Sequence, residues 1–124
     1  MKKRVFISFA YEDKVLRDFL VEQARNENSP FEFIDMSVKD PWESCWKTNC
    51  RAKIKMCDGV IAIITNNTKK ADGQLWEIRC AEDEGIPTYA ILGHKDQTPH
   101  INELKSLKVI GWTWENIKRA ISQM

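Results

Sequence analysis

Apolar positions along this chain follow two alternating rhythms, and their order sketches the fold. Arg4 to Phe9 holds Val5-Phe6-Ile7 with Ser8 toward its end, and reads as a first strand. Ala10-Tyr11 turns, Asp13 is placed to cap a helix, and Val15, Leu16, Phe19, Leu20 and Ala24 recur at helical spacing, predicting one apolar face. Asn26-Glu27-Asn28-Ser29-Pro30 stops that helix with turn formers. Phe31 to Asp35 alternates like a second strand and finishes on an acid; Met36 to Pro41 is a loop. From Trp42 a second helix carries Trp42, Trp46, Cys50, Ile54 and Cys57 along one stripe.

Asp58 to Ile64 follows, with Val60-Ile61-Ala62-Ile63-Ile64 mostly β-branched and uncharged, as a strand covered on both faces reads. Thr65-Asn66-Asn67-Thr68 is a polar turn, and a helix begins near Asp72 or Gly73 with Glu77 early in it, directly after Trp76. Gly85-Ile86-Pro87 breaks into a fourth strand, Thr88 to Leu92. His94 to Lys105 is a polar connection holding Pro99 and room for one helical turn, and Val109-Ile110 is a brief last strand. Thr113 then caps a final helix that presents Ile117, Ala120, Ile121 and Met124 on one face.

Strand and helix thus alternate with short links, the pattern of an α/β fold in three layers: a parallel sheet wrapped by helices through right-handed crossovers. With about five strands the expected order is flavodoxin-like, 2-1-3-4-5, over a single domain, residues 1–124. Its switch point lies between strands one and three, where ligands of such sheets bind. Ser8, Phe9, Ala10 and Tyr11 would line that crevice on one side, and Thr65 to Thr68 with the Glu77 helix on the other, Asp35 and Ser37 being nearby.

Composition narrows the partners. A hydrophobic fraction of 43% with 30% charged residues is an ordinary globular profile, and 19 basic against 18 acidic residues leave no basic excess for nucleic acid. No apolar run is long enough to span a membrane, and the charged residues soon after Val5-Phe6-Ile7 do not fit a signal peptide. The 4 cysteines (Cys45, Cys50, Cys57, Cys80) form no C-x-x-C pair, and His94 and His100 lie far from them, so no metal site is expected. Reduced, buried thiols in a cytoplasmic setting are the simpler reading.

Absences exclude several chemistries of this architecture. Phe9-Ala10-Tyr11-Glu12 is not a flavodoxin phosphate loop, and Thr65-Asn66 stands where a receiver domain carries its phospho-accepting Asp. Neither G-x-x-x-x-G-K-[ST] nor G-x-G-x-x-G occurs.

Val5-Phe6-Ile7-Ser8-Phe9 followed by Asp13 resembles the first box of TIR domains. Asp35-x-Ser37 with Trp42-Glu43, Asn67-Thr68, Trp76-Glu77-Ile78 and Gly111-Trp112-Thr113-Trp114 extend the likeness along the chain, more narrowly to the TIR subunit of Thoeris antiphage systems. The loop from Met36 to Pro41 departs from the Gly-rich loop of many signalling TIR domains.

The resemblance implies cleavage of the nicotinamide–ribose bond of NAD, by hydrolysis or by cyclisation to an ADP-ribose signal in prokaryotic antiviral defence. NAD would be substrate rather than cofactor. Glu77 would be the catalytic carboxylate, serving the ribose. One carboxylate suffices in principle, because nicotinamide leaves a cationic pyridinium as a neutral molecule and needs no protonation, unlike the alkoxide of an ordinary glycoside. An anion near the helix start, where the dipole favours its charge, can stabilise the oxocarbenium-like transition state.

On the same reading the backbone of Phe9 to Tyr11 meets the phosphates, Ser8 and, at the strand-three turn, Asn66 also bind the substrate, and Asp35 and Ser37 orient it in the site. Trp42, Trp76 or Tyr11 would stack on a base. A homo-oligomer and a separate sensor or effector protein are the partners implied. Plainer readings stand beside these: a solvated acid for Glu77, packing for Trp42, Trp46 and Trp76, turn formation for Asp35 and Asn66-Asn67. The alternatives to the enzyme are a non-catalytic TIR-like module binding a nucleotide or other proteins and, more faintly, a nucleoside deoxyribosyltransferase-like enzyme.

Overall fold

Strand segments occupy β1 (Lys3–Ser8), β2 (Phe31–Ile34), β3 (Gly59–Ile64), β4 (Thr88–Leu92) and β5 (Lys108–Ile110). Helices occupy α1 (Lys14–Asn26), α2 (Trp46–Lys55), α3 (Asp72–Asp83) and α4 (Trp114–Ser122). This computed structural model describes residues 3–27, 29, 31–34, 46–96 and 98–124, with the backbone alone at Trp46. Asp35, Ser37, Trp42, Glu43 and Cys45 lie outside the described residues.

The strands form one parallel sheet in the order β2-β1-β3-β4-β5, the expected 2-1-3-4-5. Alternation along the strands divides the core into layers. Val5, Ile7, Phe9, Ile61, Ile63 and Ile91 face Leu20 and Ala24 of α1 and Ile117 and Ile121 of α4. On the opposite face, Phe6 and Val60 meet Cys50 and Ile54 of α2 and Cys80 and Ala81 of α3, while Ala62, Ile64 and Ala90 meet Ile78 of α3. Every residue of β3 is buried, as the continuous apolar run predicts for a central parallel strand.

Register fixes where the functional candidates point. Ser8 pairs with Ala62 across β1 and β3 and follows Phe6 by two residues, so its side chain faces the α2–α3 layer. The switch point therefore opens between the ends of β1 and β3, with α3 above it.

Three details depart from the sequence reading. Val15 and Phe19 are 63% and 61% exposed, so the inner face of α1 is carried by Leu20 and Ala24 with Leu16 and Val21 partly covered. Five apolar positions on a helix this short span more than one face, and the sheet covers only one. Asp13 precedes α1 after a 3₁₀ turn at Tyr11–Asp13 but makes no side-chain cap, its oxygens being engaged elsewhere. Cys57 lies past the last residue of α2, although it packs in the same core as Cys50 and Ile54.

The last helix follows expectation: Thr113 Oγ1 accepts from Asn116 N at 3.1 Å, and Ile117, Ala120 and Ile121 are buried. Trp112 and Trp114 pack against the same core, Trp114 at 5.5 Å from Phe31 and Trp112 donating from Nε1 to Gln23 Oε1 at 3.0 Å. The helical turn expected before the last strand is a 3₁₀ segment, Asn102–Ser106.

Candidate functional site

The inner face of α3 is not apolar throughout. Gln74, Glu77, Ile78 and Ala81 are buried, an i, i+3, i+4, i+7 stripe whose first two members are polar. Hydrophobic periodicity alone places Glu77 at the flank of a Leu75–Ile78–Ala81 arc; it lies instead within the buried stripe and is 1% exposed. The reason is local. The end of β1 supplies a hydroxyl and a carbonyl that an apolar side chain would leave without partners.

Ser8 Oγ donates to Glu77 Oε1 at 2.8 Å, and Cys50 Sγ stands 3.5 Å from Oε2, within reach of a weak thiol hydrogen bond. Both carboxylate oxygens are thus held. One turn earlier, Gln74 Nε2 donates to Ser8 O at 3.1 Å and to Ile63 O at 2.7 Å. Together Gln74 and Glu77 stitch α3 to the ends of the two strands that define the switch point.

Beside this polar seam lies a cleft of about 470 Å³, lined by Phe9, Ala10, Tyr11 and Glu12 on one wall. Asn67, Lys70, Ala71, Asp72, Gly73 and Gln74 form the other wall, which includes the first turn of α3, where backbone N–H groups have no carbonyl partner within the helix. Its volume is in the range of small-molecule sites. A second buried acid shapes the rim: Asp13 accepts from Thr65 Oγ1 at 2.5 Å and from Asn67 Nδ2 at 2.9 Å. Asn67 N in turn donates to Thr65 Oγ1, and Thr65 N to Thr68 Oγ1.

Of the residues singled out from sequence, Phe9, Ala10 and Tyr11 line the cleft, and Ser8 and Glu77 meet behind it. Asn66 lies in the exposed turn after β3, and its neighbour Asn67 is the one that reaches the wall. Trp76 points the other way, packing on the α2–α3 core with Lys47 and Arg51 over its ring at 6.0 and 5.6 Å. Stacking of Trp76 on a base therefore has no support in its position. Asp35, Ser37 and Trp42 lie outside the described residues.

Sequence reading missed Gln74, Asp13, Lys70 and Cys50 as site neighbours. Gln74 carried a usable signal, being three residues before Glu77 and so on the same helix face. Asp13 carried none, because a helix cap explained it. Among the described residues, no group of His, Cys, Asp and Glu is placed to hold a metal ion, and no helix is long and apolar enough to cross a membrane.

The sheet order, the switch-point cleft and the acid on α3 can be set against known folds. The chain superposes on the TIR domain of the Toll-related receptor TRR-2 from Hydra magnipapillata with a TM-score of 0.65, covering 96% of this chain and 91% of that one at 12% identity. The fold is TIR-like. A prokaryotic SEFIR domain matches at a TM-score of 0.56, over 98% of this chain and 89% of that one, with 19% identity. No protein-family model and no curated protein matches the sequence. At such low identity the TIR-like likeness carries architecture rather than chemistry.

Proposed function

We propose that this TIR-like protein binds NAD at the switch-point cleft and cleaves its nicotinamide–ribose bond, with Glu77 as the catalytic carboxylate. One observation carries the reading: an acid on the inner face of α3 meets the end of β1 through Ser8, beside a cleft of nucleotide size. Phe9 to Tyr11 and the first turn of α3 with Lys70 offer amides and a cation for the diphosphate. Glu77, fixed by Ser8 and Cys50, would face the ribose as positive charge develops at its anomeric carbon. Hydrolysis or cyclisation to an ADP-ribose signal both follow from the same cation, depending on whether water or an adenine nitrogen captures it. A role in antiviral defence, as in Thoeris systems, fits a protein making such a signal.

The burial of Glu77 favours a second reading. At 1% exposure, a carboxylate bonded on both oxygens can serve as a strut in a non-catalytic nucleotide-binding module. Incubation of pure protein with NAD, following free nicotinamide by chromatography, separates the two. The enzyme reading expects release that Glu77→Gln lowers by about 100-fold or more while the thermal midpoint stays within a few degrees. Absence of release from the wild type, also under crowding, leaves the module; release that survives Glu77→Gln removes Glu77 from the chemistry.

A further inference from the structure

One polar atom in the cleft wall is unused. Gln74 is 1% exposed, and its Oε1 is buried with no hydrogen-bond partner among the described residues. Its orientation is not arbitrary. Nε2 donates to two backbone carbonyls, Ser8 O and Ile63 O, and carbonyls only accept, so the amide cannot be turned over. The oxygen is thereby directed away from the strand ends, in a residue that lines the cleft. A buried acceptor without a partner is uncommon enough to require a reason, and at the wall of a cleft the simplest reason is a ligand donor.

The place of Gln74 along α3 selects the donor. It stands between the first turn of the helix, where Ala71, Asp72 and Gly73 line the cleft with Lys70, and Glu77 one turn further in. If phosphate oxygens meet that first turn and the carboxylate faces the anomeric carbon, the group between them is the ribose ring with its hydroxyls. We propose that Gln74 is a ligand-binding residue whose Oε1 accepts a hydrogen bond from a hydroxyl of the nicotinamide-side ribose, the one at the far end of the diphosphate from the adenosine. This rests on the nucleotide reading of the cleft, though not on catalysis. The amide is preorganised as an acceptor, since both its donors are committed to the sheet. A site built around a hydrogen-bonding group discriminates strongly against ligands lacking the partner, because the buried group is then left unpaired.

ADP-ribose and ADP differ in the sugar that Gln74 is held to contact, and calorimetric titration of both against wild type, Gln74→Leu and Gln74→Met makes the test. The expected result is a loss of about tenfold or more in affinity for ADP-ribose in either variant, with ADP affinity unchanged. Equal losses for both ligands, or none, overturn the proposal and assign Gln74 to holding the strand ends alone. Failure of the wild type to bind ADP-ribose overturns it as well.

A measurement on the wild type covers the case in which both variants misfold. The Gln74 side-chain amide signal in ¹⁵N NMR should shift on adding ADP-ribose and stay in place on adding ADP; an unmoved signal overturns the proposal. Nicotinamide release is independent of these outcomes. NAD cleavage with Gln74-insensitive binding sinks this inference alone, and Gln74-dependent ADP-ribose binding without cleavage sinks the enzyme reading alone.

Discussion

Asp13 shows how one side chain can settle a loop. It is 5% exposed and takes hydrogen bonds from Thr65 Oγ1 and Asn67 Nδ2, joining the start of α1 to the turn after β3 across 52 residues of sequence. Replacing it with alanine leaves the buried Thr65 hydroxyl without its acceptor, an effect of about 1–3 kcal/mol. Asp13→Ala should lower the urea midpoint accordingly, while Asp13→Asn, which still offers one acceptor oxygen, should lose less. Equal stability of Asp13→Ala and wild type would show the turn to be held by Thr68 and Asn67 alone. None of this was visible in the sequence, where an acid ahead of a helix reads as a cap. The cap is a local interaction and therefore legible, whereas the link to Thr65 exists only once the sheet has formed.

Elements were more legible than the contacts they make. The β-branched run of β3 and the Thr113 cap of α4 announce themselves through local chemistry. The inner stripe of α3 did not, because Gln74 and Glu77 break the apolar rhythm that periodicity relies on. The end of α3 is legible again: Gly85 takes φ of +70° and Ile86 N bonds back to Ala81 O at 2.9 Å, a left-handed stop that favours glycine.

The end of α4 is secured from outside itself. Lys3 Nζ donates to Ile121 O, Ser122 O and Met124 O at 3.1, 3.3 and 2.9 Å, placing a cation on carbonyls that the helix cannot satisfy. Lys3→Met keeps much of the aliphatic stem and removes the donor. It should cost about 1 kcal/mol and speed amide exchange in the last turn of α4. Unchanged exchange there would mean that packing of Ile117 and Ile121 holds the helix unaided.

At the scale of the molecule, strand order followed from alternation and chirality rules, which are insensitive to single residues. The site depends on which side chains converge at the switch point, and convergence is a tertiary property. Ser8 and Glu77 were named from sequence, yet only register shows that they face each other. Global stability should also carry a titration. Burial, with Asp58 adding to it, pushes the Cys57 thiol up from 9.0 to about 11. Below pH 9 folded and unfolded chains both keep this proton; between pH 9 and 11 the unfolded thiol loses it first, so folding weakens as pH rises through that window. The fall in thermal midpoint from pH 9 to 11 should accordingly be smaller in Cys57→Val than in the wild type. Parallel curves would assign the alkaline loss to other groups.

The polar seam on α3 has a consequence for anyone who would engineer this protein. Gln74 and Glu77 fasten the helix to β1 directly beside the cleft that Gln74 also lines, so a screen for heat tolerance and a screen for ligand response would converge on one short stretch of chain. Improvement of the first without harm to the second has to begin on the far side of the sheet, where Val15 and Phe19 stand in water on α1. Changes there touch neither the seam nor the cleft wall.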